Sequence, residues 1–349
     1  MKKSKIKMLV LSLTGQCNFA CRYCYAEQHP QQTMDFRTAV KAVDLAAASG
    51  KPFVLQFSGG EPLLAFPVLR DIVLYVRQHK LPAIMQLQTN ASLLTPEKVA
   101  FLRDAKVGIG ISLDGRPELN DKLRQLPDGS GTCRQILAGA SQLAAHGVEI
   151  GITCVVTSEN VDQLAGIVEM AYYLGNVRRI GFDLLRAQGR GGLLTAPSAQ
   201  TLARGLAAAL ETARLLEQRT GKSLLISQLE RVELLSRGAL NGFAHCHSLN
   251  GEAAFVDAQG NIYACSSFVG DETFRLGHVD TGIDEQRQQA IRTLIQTSMS
   301  FCNDCQLFQL CGGGCFARWH GAGCTNQAYE VECSLKKVSI DWYQKKHFI

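Results

Sequence analysis

Three cysteines, Cys17, Cys21 and Cys24, stand at CxxxCxxC spacing directly after the apolar run Met8-Leu9-Val10-Leu11-Ser12-Leu13, which reads as a strand. Three thiolates crowded on one loop can hold three irons of a four-iron cluster, leaving one iron open to bind something else. A zinc site would want four protein ligands, or three with His or carboxylate among them. Disulfide pairing would leave an odd cysteine within these eight residues. The last third of the chain carries a second concentration: Cys246, Cys265, Cys302, Cys305, Cys311, Cys315, Cys324 and Cys333. Its core is CxxC-x5-C-x3-C, from Cys302 to Cys315, for which spacing alone leaves both zinc and iron open. Cys133, near a helix start, and Cys154, within a strand, read as small core hydrophobes instead.

Composition narrows the setting. The 349 residues suffice for a barrel-sized domain and one smaller domain. Hydrophobic residues at 46% and charged residues at 19% are an ordinary globular balance. A formal charge of +5, dispersed along the chain, does not argue for nucleic acid. No apolar run approaches membrane-spanning length. Lys2, Lys3, Lys5 and Lys7 before a short apolar run and Cys17 superficially mimic a lipoprotein signal. The run is too short for an export signal, and bulky Gln16 stands where a small residue belongs. Thirteen cysteines without an export signal point to metal or redox chemistry in a reducing, cytoplasmic compartment.

The elements that must position these thiols alternate. Strand-like runs follow at Phe53 to Phe57, Ile84 to Leu87, Val107 to Leu113, Val148 to Val156 and Arg179 to Leu185. Amphipathic stretches intervene at Thr38 to Ala48, Val68 to Gln78, Pro96 to Ala105, Gln135 to His146 and Val161 to Leu174. Strands alternating with helices read as parallel α/β, although periodicity alone does not separate a barrel from a doubly wound sheet. Polar and glycine-rich segments gather at strand ends, where barrel enzymes keep their chemistry. They are Ser58-Gly59-Gly60-Glu61-Pro62, Gln88-Thr89-Asn90, Ile111-Ser112-Leu113-Asp114-Gly115 and Asn120-Asp121-Lys122-Leu123-Arg124. Gly189-Arg190-Gly191-Gly192 reads as a flexible turn and Ala199 to Leu216 as a covering helix. Gly251 to Ala264 reads as a hairpin presenting Cys265, Gln286 to Thr297 as a helix, and Cys333 to Phe348 as a C-terminal helix.

With aromatic Tyr23 in the loop, CxxxCxxC resembles the signature of the radical S-adenosylmethionine (radical SAM) superfamily. The late cysteines resemble the SPASM extension of those members that modify peptides and proteins, among them anaerobic sulfatase-maturating enzymes. The resemblance implies a partial (β/α)6 TIM-type barrel over residues 1–225. A cysteine-rich SPASM iron–sulfur domain with a C-terminal helix would cover 226–349. It implies SAM and three [4Fe-4S] clusters, with Cys17, Cys21 and Cys24 on the SAM-binding one. Cys302, Cys305, Cys311 and Cys333 would hold one auxiliary cluster, and Cys246, Cys265 and Cys315 the other. Full-ligand relatives have an eighth cysteine before the first of these, and here that position is empty. That leaves an open iron there, or recruitment of His245, His247 or Cys324. The same resemblance makes Tyr23, Gly59, Gly60, Glu61, Pro62, Asn90, Ser112, Asp114 and Arg124 the SAM-binding set. A guanidinium suits a bidentate carboxylate contact.

The implied activity is reductive cleavage of SAM to a 5′-deoxyadenosyl radical that abstracts hydrogen from a substrate. The expected substrate is a ribosomally made precursor peptide, and the expected product a thioether or carbon–carbon crosslink. Formylglycine formation at Cys or Ser is the alternative, weakened because Ser266 stands where sulfatase-type maturases carry an acidic residue. Peptide epimerisation is a further alternative. The implied partners are a flavodoxin- or ferredoxin-type electron donor and a separate leader-recognition protein, since the barrel begins within ten residues of Met1.

Overall fold

The computed structural model describes residues 5–238, 243 and 246–347. Along the first two thirds, strands and helices alternate: β1 (Met8–Ser12), α1 (Phe36–Ala47), β2 (Phe53–Ser58), α2 (Phe66–Gln78), β3 (Ala83–Thr89), α3 (Pro96–Asp104) and β4 (Gly108–Ser112). They continue as α4 (Pro117–Leu123), α5 (Cys133–Ala145), β5 (Ile150–Val156), α6 (Leu164–Leu174), β6 (Val177–Leu184), α7 (Ala199–Thr220), β7 (Leu225–Ile226) and α8 (Ser227–Ser236). The cysteine-rich remainder has β8 (Ala253–Val256), β9 (Asn261–Tyr263), β10 (Arg275–His278) and β11 (Gly282–Ile283), then α9 (Glu285–Ser298), α10 (Phe308–Cys311), α11 (Phe316–Gly321) and α12 (Asn326–His347).

Local chemistry accounts for the helix ends. Asp35 accepts a hydrogen bond from the Thr38 N–H, Ser198 from Thr201, and Asp284 from Gln286 and Arg287, so N-terminal donors are capped. Pro96 occupies the first turn of α3, where its missing N–H costs nothing. Gly221, at φ 67°, ends α7 in the left-handed conformation.

The strands form one sheet in the order β11-β10-β9-β8-β1-β2-β3-β4-β5-β6-β7. From β1 to β7 every pair is parallel, β6 meets β7 rather than β1, and the barrel is therefore open. Burial alternates strictly on β2 and β5. Leu55, Phe57, Ile152 and Cys154 face the helices, while Gln56, Ser58, Thr153 and Val155 line a cavity on the inner face. A parallel strand buried on both faces reads as a continuous apolar run; these strands carry polar residues because their inner face bounds a cavity.

All six expected strands and their helices are present. Cys133 and Cys154 are core residues, 1% and 0% exposed. The hairpin is β8–β9, whose first strand pairs in parallel with β1, so the sheet runs from the barrel into the cysteine-rich region without a break. Four features differ from the sequence reading. β7 and the β10–β11 ribbon, with strands of two to four residues, are too short to show a period. α4 and α8 lack a strong apolar stripe. Cys333 lies inside α12, which begins at Asn326. Gly189–Leu193 is a tight 3₁₀ turn packed on the first cysteine loop, not a free hinge. No helix among the described residues is long and apolar enough to cross a membrane.

Candidate active site

The loop carrying Cys17, Cys21 and Cys24 is fastened by backbone atoms of three other segments. The Ala20 and Arg22 N–H groups donate to the Gln125 and Leu123 carbonyls, at 2.7 and 2.9 Å. Arg190 Nε donates to the Cys21 carbonyl at 2.8 Å, and the Arg190 N–H to the Cys24 carbonyl at 3.0 Å. Gly191 lies against the Tyr23 and Arg186 carbonyls, leaving no room for a Cβ. Two further glycines enclose the loop's entry. The Gly60 N–H donates to the Thr14 carbonyl at 2.6 Å and the Glu61 N–H to the Gln16 carbonyl at 2.8 Å. A Cβ at Gly59 or Gly60 would collide with those same carbonyls. These glycines are therefore required by contact between two loops, in addition to any ligand they admit.

Cys17, Cys21 and Cys24 open onto one cavity of ≈ 420 Å³, together with Tyr23, Gly59, Gly60, Glu61, Asn90, Ser112 and Arg124. Pro62 and Asp114, from the same expected set, lie behind its wall. Glu61 is 1% exposed, and its carboxylate accepts from the Thr89 hydroxyl (2.6 Å), the Asn90 N–H (2.8 Å) and the Leu63 N–H (3.0 Å). Burial raises its pKa against those hydrogen bonds. Its side chain thus ties the loop after β2 to the end of β3, and the cavity meets the backbone around it. Asn90 places its Nδ2 3.9 Å from the Cys17 sulfur and donates to Asn18 Oδ1 at 3.0 Å. Ser112 accepts from Gln88 Nε2 at 3.0 Å. Asp114 is fully committed: it accepts from Tyr23 Oη, from the Val155 N–H (2.8 Å) and from Arg124, whose Nη2 and Nε lie 3.1 and 2.9 Å from its two oxygens.

The far wall of the cavity comes from the cysteine-rich region and includes Ser248, Phe255, Cys265 and Ser266. Tyr25 spans the two, donating to Ser266 Oγ at 3.1 Å one residue after Cys24. Asp183 and Arg186, at the end of β6, complete this wall. Sequence reading passed over both, although a polar residue at a strand end was the signal used at β2, β3 and β4. Burial works against the Asp183 charge, but Arg186 and Arg318 beside it hold its pKa below the usual value.

The remaining thiols fall into two neighbourhoods. Burial raises the Cys246 thiol, and Cys315 and Cys265 raise it further by proximity. Burial likewise raises Cys333, pushed up to about 11, with Cys311 and Cys302 adding to it, and Cys305 acts on Cys302. The Tyr329 hydroxyl stands 2.6 Å from the Cys302 sulfur. Cys324 occupies an exposed turn after α11 at φ 58°. The His247 ring pairs with Glu252 at 3.3 Å, and His245 lies outside the described residues. Among the described residues no three His, Cys, Asp or Glu side chains converge on a point that one metal ion could occupy. Burial pushes Cys17 up to about 12 and Cys21 up to about 11. A coordinated thiol is deprotonated outright, and an all-thiol donor set fits an iron–sulfur group.

His29, 4% exposed, packs edge-on against Tyr25 and Phe255 and places Nε2 3.2 Å from the Ser266 carbonyl. Burial pushes its pKa down to about 4. The unfolded chain, with an ordinary value near 6.5, therefore takes up a proton before the folded one. Stability is full above about pH 6.5 and falls as the pH drops toward 4. Denaturant unfolding at pH 7.5 and pH 5 is expected to show a loss of ~2 kcal/mol from this group, and His29→Gln removes that increment. An equal pH dependence in the variant would assign the loss elsewhere.

Known proteins resemble this chain in sequence and in fold. The family model described as the radical SAM superfamily matches residues 11–171. An uncharacterized protein of Methanocaldococcus jannaschii is 31% identical over 76% of this chain and 86% of its own length. A serine-type anaerobic sulfatase-maturating enzyme of Klebsiella aerogenes is 28% identical, over 90% of this chain and 81% of its own. An AdoMet-dependent heme synthase of Oleidesulfovibrio alaskensis is 26% identical, over 96% and 89%. Among solved structures, native anSMEcpe with bound AdoMet and a peptide superposes with a TM-score of 0.79 at 21% identity, covering 97% of this chain and 96% of that one. Streptococcus suis SuiB bound to precursor peptide SuiA gives 0.69 at 17% identity, covering 95% and 76%.

Proposed function

The chain belongs to the radical SAM superfamily, and we propose that it is a peptide maturase that joins residues of a ribosomally made precursor through a thioether or carbon–carbon bond. One observation carries this reading: the first cysteine loop and Cys265 open onto the same cavity, so a substrate between them reaches both. SAM and a four-iron cluster on Cys17, Cys21 and Cys24, when bound, supply one-electron cleavage chemistry and hydrogen abstraction. The chain's own residues bind, orient and enclose. Gly59, Gly60, Asn90 and Ser112 offer backbone and neutral polar contacts beside the cysteine loop. Cys246, Cys265 and Cys315 would hold one auxiliary cluster, and Cys302, Cys305, Cys311 and Cys333 the second. Forming one crosslink removes two hydrogen atoms from the peptide, one as the atom the radical takes and one as a proton and an electron, and a cluster held in part by Cys265 at the far wall would accept that electron. We keep a flavodoxin- or ferredoxin-type donor and a separate leader-recognition protein as the expected partners.

The character of the cavity favours a peptide over the tetrapyrroles of the heme synthase relative. Gln56, Gln88, Ser58, Ser112 and Thr153 line it with neutral amides and hydroxyls, beside the apolar side chains of Met8, Val10, Phe19 and Phe255. Its two arginines, Arg124 and Arg186, are each paired with an aspartate. A tetrapyrrole bearing several carboxylates calls for unpaired cations. Formylglycine formation, the chemistry suggested by the sulfatase-maturating relative, stays as the second reading. Ser266 stands on the cavity wall with its hydroxyl bonded to Tyr25, and it offers no carboxylate base.

The test is anaerobic coexpression with the short open reading frame beside this gene, followed by tandem mass spectrometry. Loss of two hydrogens per bond, with fragmentation absent between the joined residues, is the expected result. An aldehyde captured by a hydrazide probe would establish formylglycine instead. Deuterium uptake from heavy water without mass loss would establish epimerisation.

A further inference from the structure

We infer that Arg186 tunes the redox group held by Cys246, Cys265 and Cys315, making it the residue through which the reaction cavity sets electron acceptance at that centre. The inference rests on the proposal that these three cysteines hold an iron–sulfur cluster.

The guanidinium is fixed from several sides. It lies over the Tyr25 ring at 4.8 Å, donates from Nη1 to the Ser267 hydroxyl, and donates from Nη2 to Asp183 at 3.3 Å. Its Nε is buried and has no hydrogen-bond partner among the described residues. A buried, unsatisfied donor on a charged group is costly, so this N–H calls for an acceptor. Cys265 and Cys315 are close enough to act on the Arg186 charge, and Cys265 shares the cavity wall with it.

A second cation of this neighbourhood is already spent. Arg318 also lies beside Cys315. Its Nε and Nη2 donate to the two Glu332 oxygens at 2.9 and 3.1 Å, and its Nη1 to Asp183. Arg186, by contrast, has one carboxylate contact and a free donor. Iron–sulfur potentials follow net charge, hydrogen bonds to the sulfurs and exposure. A cation with an N–H to spare therefore stabilises the reduced, more negative form and raises the potential. Tyr25, covered on its face by Arg186 and following Cys24 in sequence, places this control between the two cysteine groups.

The experiment uses full-length protein with Cys17, Cys21 and Cys24 all replaced by Ala, so that only auxiliary clusters remain. The signal belonging to Cys246, Cys265 and Cys315 is the one that Cys265→Ala abolishes. Redox titration followed by electron paramagnetic resonance then compares Arg186 with Arg186→Gln and Arg186→Lys at equal iron content. The expected result is a fall of about tenfold in the reduced-to-oxidised ratio at a fixed poise for Arg186→Gln, which is about 59 mV for one electron. Arg186→Lys, retaining the charge, recovers part of it. An unchanged midpoint in Arg186→Gln overturns the inference, as does loss of iron from both variants, which would make Arg186 a holding element. A parent protein with Arg186 intact and no auxiliary iron would overturn the cluster assignment beneath it.

Discussion

Replacing Cys17, Cys21 and Cys24 together by Ala is expected to abolish SAM cleavage, with methionine and 5′-deoxyadenosine falling to the background of a no-enzyme control. The four irons of that cluster should be lost with it, while the iron proposed for the later cysteines remains. The effect is absolute because electron entry into SAM requires an iron to which it is bound. The loop carrying the three thiols is held by the Gln125 and Leu123 carbonyls and by Arg190, so the fold should survive the substitution. Retained cleavage in the triple variant would place the reactive centre among the later cysteines.

The second large effect is structural and falls on the same loop. Arg124→Ala leaves the Asp114 carboxylate, with 0% of its side chain exposed, without its cation. Breaking a buried pair by removing one partner costs about 3–5 kcal/mol, because the remaining charge stays buried. Tyr23 Oη and the Val155 N–H also bond that carboxylate, so the strain passes to the cysteine loop and to β5. We expect a lower urea midpoint and weaker retention of iron on the first cluster. The double variant Asp114→Asn/Arg124→Met removes both charges and should recover most of the lost stability. If Arg124→Ala leaves the midpoint unchanged, the pair is not what secures the loop.

Much of the molecule was legible in the sequence. Strands β1 to β6 announced themselves by apolar runs, because in a barrel their outer faces pack on helices. CxxxCxxC needed only spacing. Cys333 stands near Cys302 and Cys311, and Cys246 near Cys265 and Cys315; the division of these thiols between two clusters remains our proposal. What escaped has physical reasons. The partners of the Glu61 and Asp114 carboxylates, Thr89, Asn90 and Leu63 for one and Tyr23, Val155 and Arg124 for the other, come together only in the fold. A sequence shows that a carboxylate stands at a strand end, not what saturates it. Gly189-Arg190-Gly191-Gly192 read as a flexible turn, because glycine demanded by a close approach and glycine in a free loop look alike. Asp183 and Arg186 gain their meaning from Arg318 and Cys265, which are distant in sequence and adjacent only in the fold.

In the proposed reaction a peptide occupies the cavity between the first cysteine loop and Cys265 and gives up hydrogen there. The most direct measurement supplies the reduced enzyme with SAM and the candidate precursor peptide, deuterated at the carbons of its crosslinked residues. The 5′-deoxyadenosine formed is then analysed by mass spectrometry. Incorporation of one deuterium from the peptide is the predicted result. Peptide modification accompanied by unlabelled 5′-deoxyadenosine, with every candidate carbon deuterated, would contradict it.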